Sequence, residues 1–237
     1  MHSSALVNLE NFFSTYLKNF DNPKILDFGS QSLSDQPSAK LILDKLNIKY
    51  EYTGVDIEKG NNVDIVLEDP YKFKEISDVS YDIIISTSVF EHVEFFWLTY
   101  LEVLRVLKPK GIFYFNGPSN GDFHRWPQDC WRFYPDSGNA LISWAKRHSF
   151  NPIQLESFIS NQYLECGWND YVSVTLKDEK YLGNFNNRII YKHKNFTNGI
   201  DHNKELYNFS NKSEDHRNWG FRLWYRLRKK LDKLKRS

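Results

Sequence analysis

Between residues 5 and 176 the sequence alternates between two hydrophobic periods, and this alternation restricts the fold more than any other feature. Apolar residues spaced by three and four predict helices, whereas short apolar runs predict strands. The predicted strands are 24–28, 50–55, 64–67, 81–86, 112–115, 153–159 and 171–176. The predicted helices are 38–46, 95–107 and 137–147, after an N-terminal helical stripe from Leu6 to Leu17. This order predicts an α/β fold with a doubly wound, mostly parallel sheet and helices on both faces.

The ends of the predicted strands are the expected functional site, because open parallel sheets bind ligands beyond the carboxyl ends of their strands. Asp56 follows the second strand, where a carboxylate can accept hydrogen bonds from both hydroxyls of a ribose. The turn after the first strand, 27–32, lacks the Gly-x-Gly-x-x-Gly pattern that cradles a pyrophosphate. The sequence therefore argues against a nicotinamide or flavin dinucleotide.

The segment 119–136 follows the fifth predicted strand and combines many polar and aromatic residues with no helical or strand period. It contains one His, two Arg, three Asp and two Trp. Loops that a rigid scaffold holds at strand ends are where binding and catalytic groups concentrate. We therefore predict that this loop forms part of the functional site.

Length and composition indicate a globular protein. The 237 residues, of which 41% are hydrophobic, suffice for one full core and a modest extension. No apolar run approaches the roughly 20 residues that cross a bilayer, and the N-terminus lacks the pattern of a secretory signal. Cys130 and Cys166 are far apart in sequence, which argues against a disulfide framework and a zinc site. These features predict a cytoplasmic protein.

The last 21 residues differ in charge from the rest of the chain. Segment 217–237 has nine Lys or Arg and one acid, so it carries +8 while residues 1–216 sum to −7. Its apolar residues recur at steps of three and four: Phe221, Trp224, Leu227, Leu231 and Leu234. A basic amphipathic helix of this kind suits an anionic membrane surface or an acidic partner. Docking on the protein's own acidic domain, or a solvated tail, is an equally open alternative.

Five motifs resemble those of the class I S-adenosylmethionine-dependent methyltransferases. They occur in the family's order over about residues 20–176: 25–29, 52–56, 67–70, 81–86 with Glu91-His92, and 105–111. The resemblance implies a Rossmann-like fold and S-adenosyl-L-methionine as the cofactor. It implies that Gly29 lets the backbone approach the methionine part and that Asp56 binds the ribose. The region of Glu68 and Asp69 is implied to face the adenine.

The full set of predicted cofactor-binding residues extends along the strand ends: Asp27, Gly29, Ser30, Asp56, Ile57, Glu68, Asp69, Ser86 and Ser88. One residue departs from the family's pattern, because Gln31 stands where a second Gly is usual. A shifted turn would be needed to accommodate its side chain.

Residues 118–135 resemble a subgroup of this family that is associated with bacterial surface polysaccharides. The similarity covers Pro-Ser-Asn-Gly, His-Arg-x-Pro-x-Asp and Trp-Arg-Phe-Tyr-Pro. It implies transfer of a methyl group to a sugar hydroxyl of a glycan or glycan precursor. Because such a hydroxyl is a weak acid, a positioned base would accelerate the reaction by about 10²–10⁴-fold.

His124 is the first candidate for the base, because imidazole titrates near neutrality. Asp129 is the second predicted catalytic residue, either orienting His124 or acting as the base itself, and His92 is a further alternative. The predicted substrate-binding residues are His92, Arg125, Trp126, Trp131 and Arg132.

Each of these assignments has a structural alternative. Asp129 and Arg132 could form an ion pair that braces the loop, and Trp131 could belong to the core. A metal site could be assembled from Glu91, Asp122 and Asp129, but no spacing demands it and none is predicted.

The sequence thus predicts a methyltransferase domain over 1–176, a polar extension or linker over 177–216 and a basic amphipathic helix over 217–237. The alternatives are a small-metabolite methyltransferase and a non-catalytic adaptor in a glycan-assembly complex, in which Gln31 has abolished cofactor binding. The predicted partners are a sugar-containing acceptor and, through the tail, the inner face of the plasma membrane or a biosynthetic protein. No nucleic acid is expected, and the oligomeric state stays open.

Overall fold

The computed structural model describes residues 2–32, 37–46, 48–161 and 167–212, together with Gly220, Leu223, Trp224 and Leu227. The helices are α1 (Ser3–Tyr16), α2 (Ala39–Lys45), α3 (Phe96–Val106), α4 (Ser137–Lys146) and α5 (Ile189–Lys192). The strands are β1 (Lys24–Phe28), β2 (Glu51–Asp56), β3 (Ile65–Val66), β4 (Tyr81–Thr87), β5 (Leu107–Pro118), β6 (Ile153–Ser160), β7 (Asp170–Leu176), β8 (Phe196–Asp201) and β9 (Leu206–Tyr207). Short 3-10 helices cover Leu17–Asn19, Phe90–His92 and Glu179–Asn184.

The nine strands form one sheet in the order β3-β2-β1-β4-β5-β7-β6-β8-β9. Strands β1 to β5 pair in parallel, and β7, β6, β8 and β9 join them through antiparallel pairs. The chain moves outward from β1 to β3 and then returns to the other side of β1 with β4. This reversal is the kind of switch point at which open α/β sheets bind ligands. The predicted α/β fold is confirmed.

Helices cover both faces of the sheet, because each central strand gives alternate residues to two cores. Ile25 lies in the core under α1 and α2, and its neighbour Leu26 lies in the core under α3 and α4. Strand β5 shows the same alternation, with Tyr114 in the first core and Phe113 in the second. Burial on both faces explains why these strands read as continuous apolar runs.

Strand β5 begins five residues earlier than the apolar run 112–115 predicts. Pairing with β4 jumps from Tyr81–Leu107 to Ile83–Ile112, so residues 108–111 form an irregularity within the strand. Helix α3 ends at Val106, before Pro109 and Gly111, and the chain turns into the sheet directly, without an intervening loop.

Residues 177–212 form helix α5 and strands β8 and β9, and the two strands extend the same sheet. Their apolar side chains are few, but Phe185, Ile189 and Phe196 lie in the core under α1. The sequence shows no period there because isolated apolar residues, rather than a regular stripe, make these contacts.

A buried polar network fixes this extension to the rest of the sheet. The Glu156 carboxylate accepts hydrogen bonds from the Tyr16 hydroxyl and from the backbone N–H groups of Ile189 (2.9 Å) and Ile190 (3.0 Å). The guanidinium of Arg188, which is 1% exposed, donates to the carbonyls of Leu155 (2.8 Å), Phe185 and Asn187. Burial raises the pKa of the Glu156 carboxyl.

Most of the predicted amphipathic helix 217–237 lies outside the described residues. Within that range Leu223, Trp224 and Leu227 have helical backbone and exposed side chains. Among the described residues, no helix is both long enough and apolar enough to cross a membrane.

Candidate active site

A cleft of about 1150 Å³ opens at the carboxyl ends of β1, β2 and β4, beside the loop that follows β5. Its volume exceeds the range of about 300–1,000 Å³ that is typical of small-ligand pockets. The predicted residues that line it are Asp27, Gly29, Ser30, Asp56, Ile57, Ser88, His92, His124, Arg125 and Trp126. The fold thus brings both predicted halves of the site, for cofactor and acceptor, into one cavity.

Asp56 lies at the β2 end of the cleft with its carboxylate oriented by backbone donors. Its Oδ1 accepts from the N–H of Ile57 at 2.8 Å, and its Oδ2 accepts from the N–H of Gln31 at 3.1 Å. A carboxylate can accept about four hydrogen bonds, so lone pairs remain for a ligand's hydroxyl groups. This geometry suits a ribose.

The turn after β1 accommodates Gln31 through a second glycine. The Gln31 side chain folds over Gly60, where a Cβ atom would lie 2.5–3.0 Å from the Gln31 amide. Gly29 has φ +80°, and a Cβ there would lie 2.1 Å from Cγ2 of Val89. The Gln31 side chain is therefore directed onto the loop after β2, and its backbone N–H still binds Asp56.

Asp27, the residue before the last of β1, lines the cleft and is 7% exposed. Burial raises the pKa of this carboxyl to about 6, although a hydrogen bond from the Tyr52 hydroxyl at 2.6 Å opposes that rise. A positively charged ligand group beside Asp27 would favour the ionised carboxylate.

Three predicted cofactor residues are not among those that line the cleft. Ser86 is fully buried within β4, and the Asp69 carboxylate accepts from the N–H of Tyr71 at 2.8 Å. The Glu68 side chain is 78% exposed and lies 3.9 Å from the Lys74 ammonium. Pro70, Tyr71 and Glu58 occupy this part of the wall. No hydrophobic pattern in the sequence indicates that Pro70, Tyr71 and Glu58 line the cleft.

The loop after β5 is held by a partly buried ion pair. Arg132 donates to both oxygens of Asp129, from Nη1 at 2.6 Å and from Nη2 at 2.8 Å, and these bonds lower the Asp129 pKa to about 2. Oδ2 of Asp129 also accepts from the backbone N–H of His124 at 2.8 Å and lies 3.6 Å from its Nδ1. Asp129 therefore braces the loop and positions His124.

Of the other predicted substrate residues, Trp131 lies against the core and Arg125 and Trp126 line the cleft. The Trp131 indole N–H donates to the carbonyls of Val93 (3.1 Å) and Glu94 (3.2 Å). Trp126 is 68% exposed at the cleft wall, and Arg125 donates from Nε to the Pro127 carbonyl at 3.1 Å. Arg132 is committed to Asp129 and to the loop backbone.

His92 and His124, here called the histidine pair, meet in the cleft with ring centroids 5.1 Å apart. In each ring Nδ1 faces a backbone carbonyl, that of Gln128 for His92 and that of Asp122, at 3.1 Å, for His124. A carbonyl only accepts hydrogen bonds, so Nδ1 carries the proton and Nε2 keeps its lone pair in the neutral ring. Burial also lowers the pKa of His92, which favours this neutral form.

Glu91 and Trp168 complete the histidine end of the cleft. The Glu91 carboxyl is 1% exposed, and its Oε1 lies 3.8 Å from Nε2 of His92. Its Oε2 has no hydrogen-bond partner among the described residues, and burial raises the Glu91 pKa to about 8. The Trp168 ring lies parallel to His124 at 5.8 Å. No pattern in the sequence indicates Trp168, which lies just before β7.

The cleft fits S-adenosylmethionine better than a dinucleotide. Asp56 offers acceptors for a ribose, Tyr71 offers an aromatic face on the same wall, and Asp27 offers a carboxylate for a cationic group. The turn after β1 makes backbone bonds to β2, from Gly29 N to Val55 O at 2.8 Å and from Ser30 N to the same carbonyl at 3.1 Å. Those two N–H groups are therefore engaged rather than free to bind a phosphate.

Comparison with known proteins identifies a methyltransferase domain in this chain. Residues 37–115 match the family model of the methyltransferase domain. A search of curated proteins finds no significant match. The fold is similar to that of a 1,6-didemethyltoxoflavin-N1-methyltransferase from Burkholderia thailandensis, solved with S-adenosylhomocysteine, at 13% identity and TM-score 0.53, covering 74% of this chain and 79% of that one.

Two further structures share the fold. YcgJ from Bacillus subtilis has 14% identity and TM-score 0.51, covering 75% of this chain and 100% of that one. The [4+2]-cyclase SpnF has 12% identity and TM-score 0.53, covering 73% and 80%. Because a cyclase shares it, the fold alone does not define the reaction.

The matched segment identifies a methyltransferase domain, and the strand order and the cleft agree with the fold of that class. Together these findings support an S-adenosylmethionine-dependent methyltransferase, as the motifs of the strand ends predict.

Proposed function

We propose that this enzyme methylates a hydroxyl group on a sugar of a glycan or glycan precursor. The observation that supports the proposal most is the placement of the histidine pair and the exposed Trp126 at one end of the cleft, across from Asp56. The glycan assignment also draws on the resemblance of residues 118–135 to enzymes of surface polysaccharide synthesis.

Asp56, Asp27 and the turn at Gly29 would hold the cofactor at the β1–β2 side of the cleft. When bound, S-adenosylmethionine supplies an electrophilic methyl group attached to a sulfonium. Tyr71 and Ile57 would enclose the adenine, and the support for this is that both line the cleft.

His124 activates the acceptor hydroxyl in this proposal, because Nε2 is the ring nitrogen that the Asp122 carbonyl leaves unoccupied. This nitrogen would act either by taking the hydroxyl proton or by holding a cation that lowers the pKa of the hydroxyl. Asp129 is a positioning residue, since it fixes the His124 backbone and carries two bonds from Arg132.

The mouth of the cleft suits a large, polar acceptor. Trp126, which lines the cleft, is 68% exposed, and Phe123, the neighbour of His124 in the sequence, is 73% exposed. Sugar rings have apolar faces that pack on aromatic side chains, and the Arg125 guanidinium would bind an acidic sugar or phosphate. An exposed binding wall admits an acceptor that extends beyond the cavity.

A small metabolite is the second candidate acceptor. The structural neighbour from Burkholderia is a 1,6-didemethyltoxoflavin-N1-methyltransferase, solved with that compound and S-adenosylhomocysteine bound. The cleft of about 1150 Å³ exceeds the range of about 300–1,000 Å³ that is typical of a single small ligand. The adaptor hypothesis loses its main support, because Gln31 lies over Gly60 and leaves Asp56 accessible to the cleft.

Transfer of labelled methyl groups separates the two acceptor classes. Full-length protein with radiolabelled S-adenosylmethionine should label cell-envelope glycan in extracts of a bacterium that makes methylated surface polysaccharide, and should leave small-molecule fractions unlabelled. Label found only in the small-molecule fraction would contradict the glycan assignment.

The same assay tests whether the basic tail directs the enzyme to membranes. The full-length chain is compared with a chain that ends at residue 216, and the acceptor is presented on anionic vesicles. Equal transfer by both chains would refute that role.

A further inference from the structure

We propose that Glu91, His92 and His124 form a binding site for a divalent transition-metal ion at the acceptor end of the cleft. One potential ligand atom from each residue lies within 4.8 Å of those of the other two. This inference deepens the proposed function and rests on it for the role of the metal, but the site itself is argued from the contacts of these three residues.

The histidine pair is arranged as metal-binding histidines usually are. A metal-ligating imidazole almost always donates its other ring N–H to a carbonyl or carboxylate, which fixes the tautomer and the ring orientation. Here Nδ1 of His92 faces the Gln128 carbonyl and Nδ1 of His124 faces the Asp122 carbonyl. Both Nε2 atoms are thereby left as lone-pair donors.

Glu91 provides independent support, because its carboxyl is buried and incompletely bonded. Oε2 has no hydrogen-bond partner among the described residues, although the side chain is 1% exposed and lines the cleft. The nearby Arg132 guanidinium is already bonded to both oxygens of Asp129. A buried carboxylate needs a compensating charge, which a divalent cation would supply.

The ligand types indicate which cations fit. Two imidazole nitrogens and one carboxylate suit Zn²⁺, Fe²⁺, Co²⁺ or Ni²⁺ rather than Mg²⁺ or Ca²⁺, which prefer oxygen ligands. Three protein ligands with an open position are typical of catalytic rather than structural zinc sites. Two atoms bound to one Zn²⁺ in a tetrahedral site lie about 3.3 Å apart, so the widest spacing in the cluster, up to 4.8 Å, would contract by about 1.5 Å on binding.

The acceptor hydroxyl would occupy an open coordination position of this ion. Coordination of the hydroxyl oxygen lowers the pKa of the hydroxyl, and its proton is released to water. His124 then acts as a ligand that also fixes the acceptor, and no free imidazole base is needed. The backbone of His124 remains positioned by Asp129.

Titration with Co²⁺, which gives visible absorption bands when held by nitrogen and oxygen ligands, tests the site directly. Full-length protein is freed of metal with a chelator, and Co²⁺ is added to wild type, Glu91→Gln, His124→Ala and the control His193→Ala, whose histidine does not line the cleft. We expect one Co²⁺ per wild-type chain, competition by Zn²⁺ but not Mg²⁺, and at least about tenfold weaker binding in the first two variants. His193→Ala should match wild type.

Equal Co²⁺ binding by wild type, Glu91→Gln and His124→Ala would overturn the proposal, as would no binding to wild type. Thermal unfolding of each variant without metal shows whether the fold is retained. Cation binding that depends on Glu91 and His124, without methyl transfer to glycan, would support the metal site while refuting the proposed acceptor. Full methyl transfer by chelated wild type that binds no Co²⁺ would refute the metal site alone.

Discussion

Replacing His124 with alanine should lower the rate of methyl transfer by about 10²–10⁴-fold, the range for loss of a group that assists removal of the acceptor proton. His124 lines the cleft and its Nδ1 faces the Asp122 carbonyl, so Nε2 is the ring nitrogen left to act on the proposed acceptor. The cofactor side, formed by Asp56 and Asp27, is untouched by this change. S-adenosylhomocysteine should therefore bind the variant and wild type with the same affinity.

Two comparisons make the His124 result specific. His193→Ala removes a histidine that does not line the cleft and should leave the rate unchanged. Circular dichroism of the His124 variant checks that loss of the ring stacked on Trp168 has not unfolded the loop. A rate within threefold or so of wild type would show that His124 does not activate the acceptor.

Replacing Glu156 with leucine should reduce the free energy of unfolding by about 3–5 kcal/mol. The carboxylate accepts from Tyr16 and from the N–H groups of Ile189 and Ile190, so its loss leaves three buried donors without an acceptor. It also leaves the buried Arg188 without its nearby negative charge. Leucine cannot replace either interaction.

Urea unfolding measures this difference, with Glu179→Gln as the matched control. Glu179 is 46% exposed and 3.6 Å from the Lys146 ammonium, so its loss should change stability by less than about 0.5 kcal/mol. If Glu156→Leu unfolds at the same urea concentration as that control, the network does not anchor residues 185–190 to the sheet.

The sequence predicts the part of the site that the sheet itself creates. Asp27, Gly29 and Asp56 lie at the carboxyl ends of strands whose apolar runs are clear, and parallel strands necessarily present these ends at one edge of the sheet. Hydrophobic period therefore suffices to group these residues. It also suffices for the confirmed α/β class, since both faces of β1, β4 and β5 are buried.

The remainder depends on contacts that period does not encode. Trp168 reaches His124 only because β7 inserts antiparallel beside β5, and a sequence pattern does not reveal that insertion. The unbonded oxygen of Glu91 is a property of its surroundings, and the Glu91-His92 motif does not show it. The sequence predicts an ion pair of Asp129 with Arg132 as a structural alternative. Only the structure shows that Arg132 donates to both oxygens of Asp129 and that Asp129 also binds the backbone of His124.

Calorimetric titration with S-adenosylhomocysteine tests the central claim, that this cleft binds the cofactor of a methyltransferase. Wild type should bind one molecule per chain, and Asp56→Ala should bind about 10- to 100-fold more weakly, because hydrogen bonds to a charged group contribute about 1.5–3 kcal/mol. Asp44→Asn, which alters an exposed carboxylate away from the cleft, should bind as wild type does. No binding to wild type, or equal affinity with and without the Asp56 carboxylate, would contradict the account.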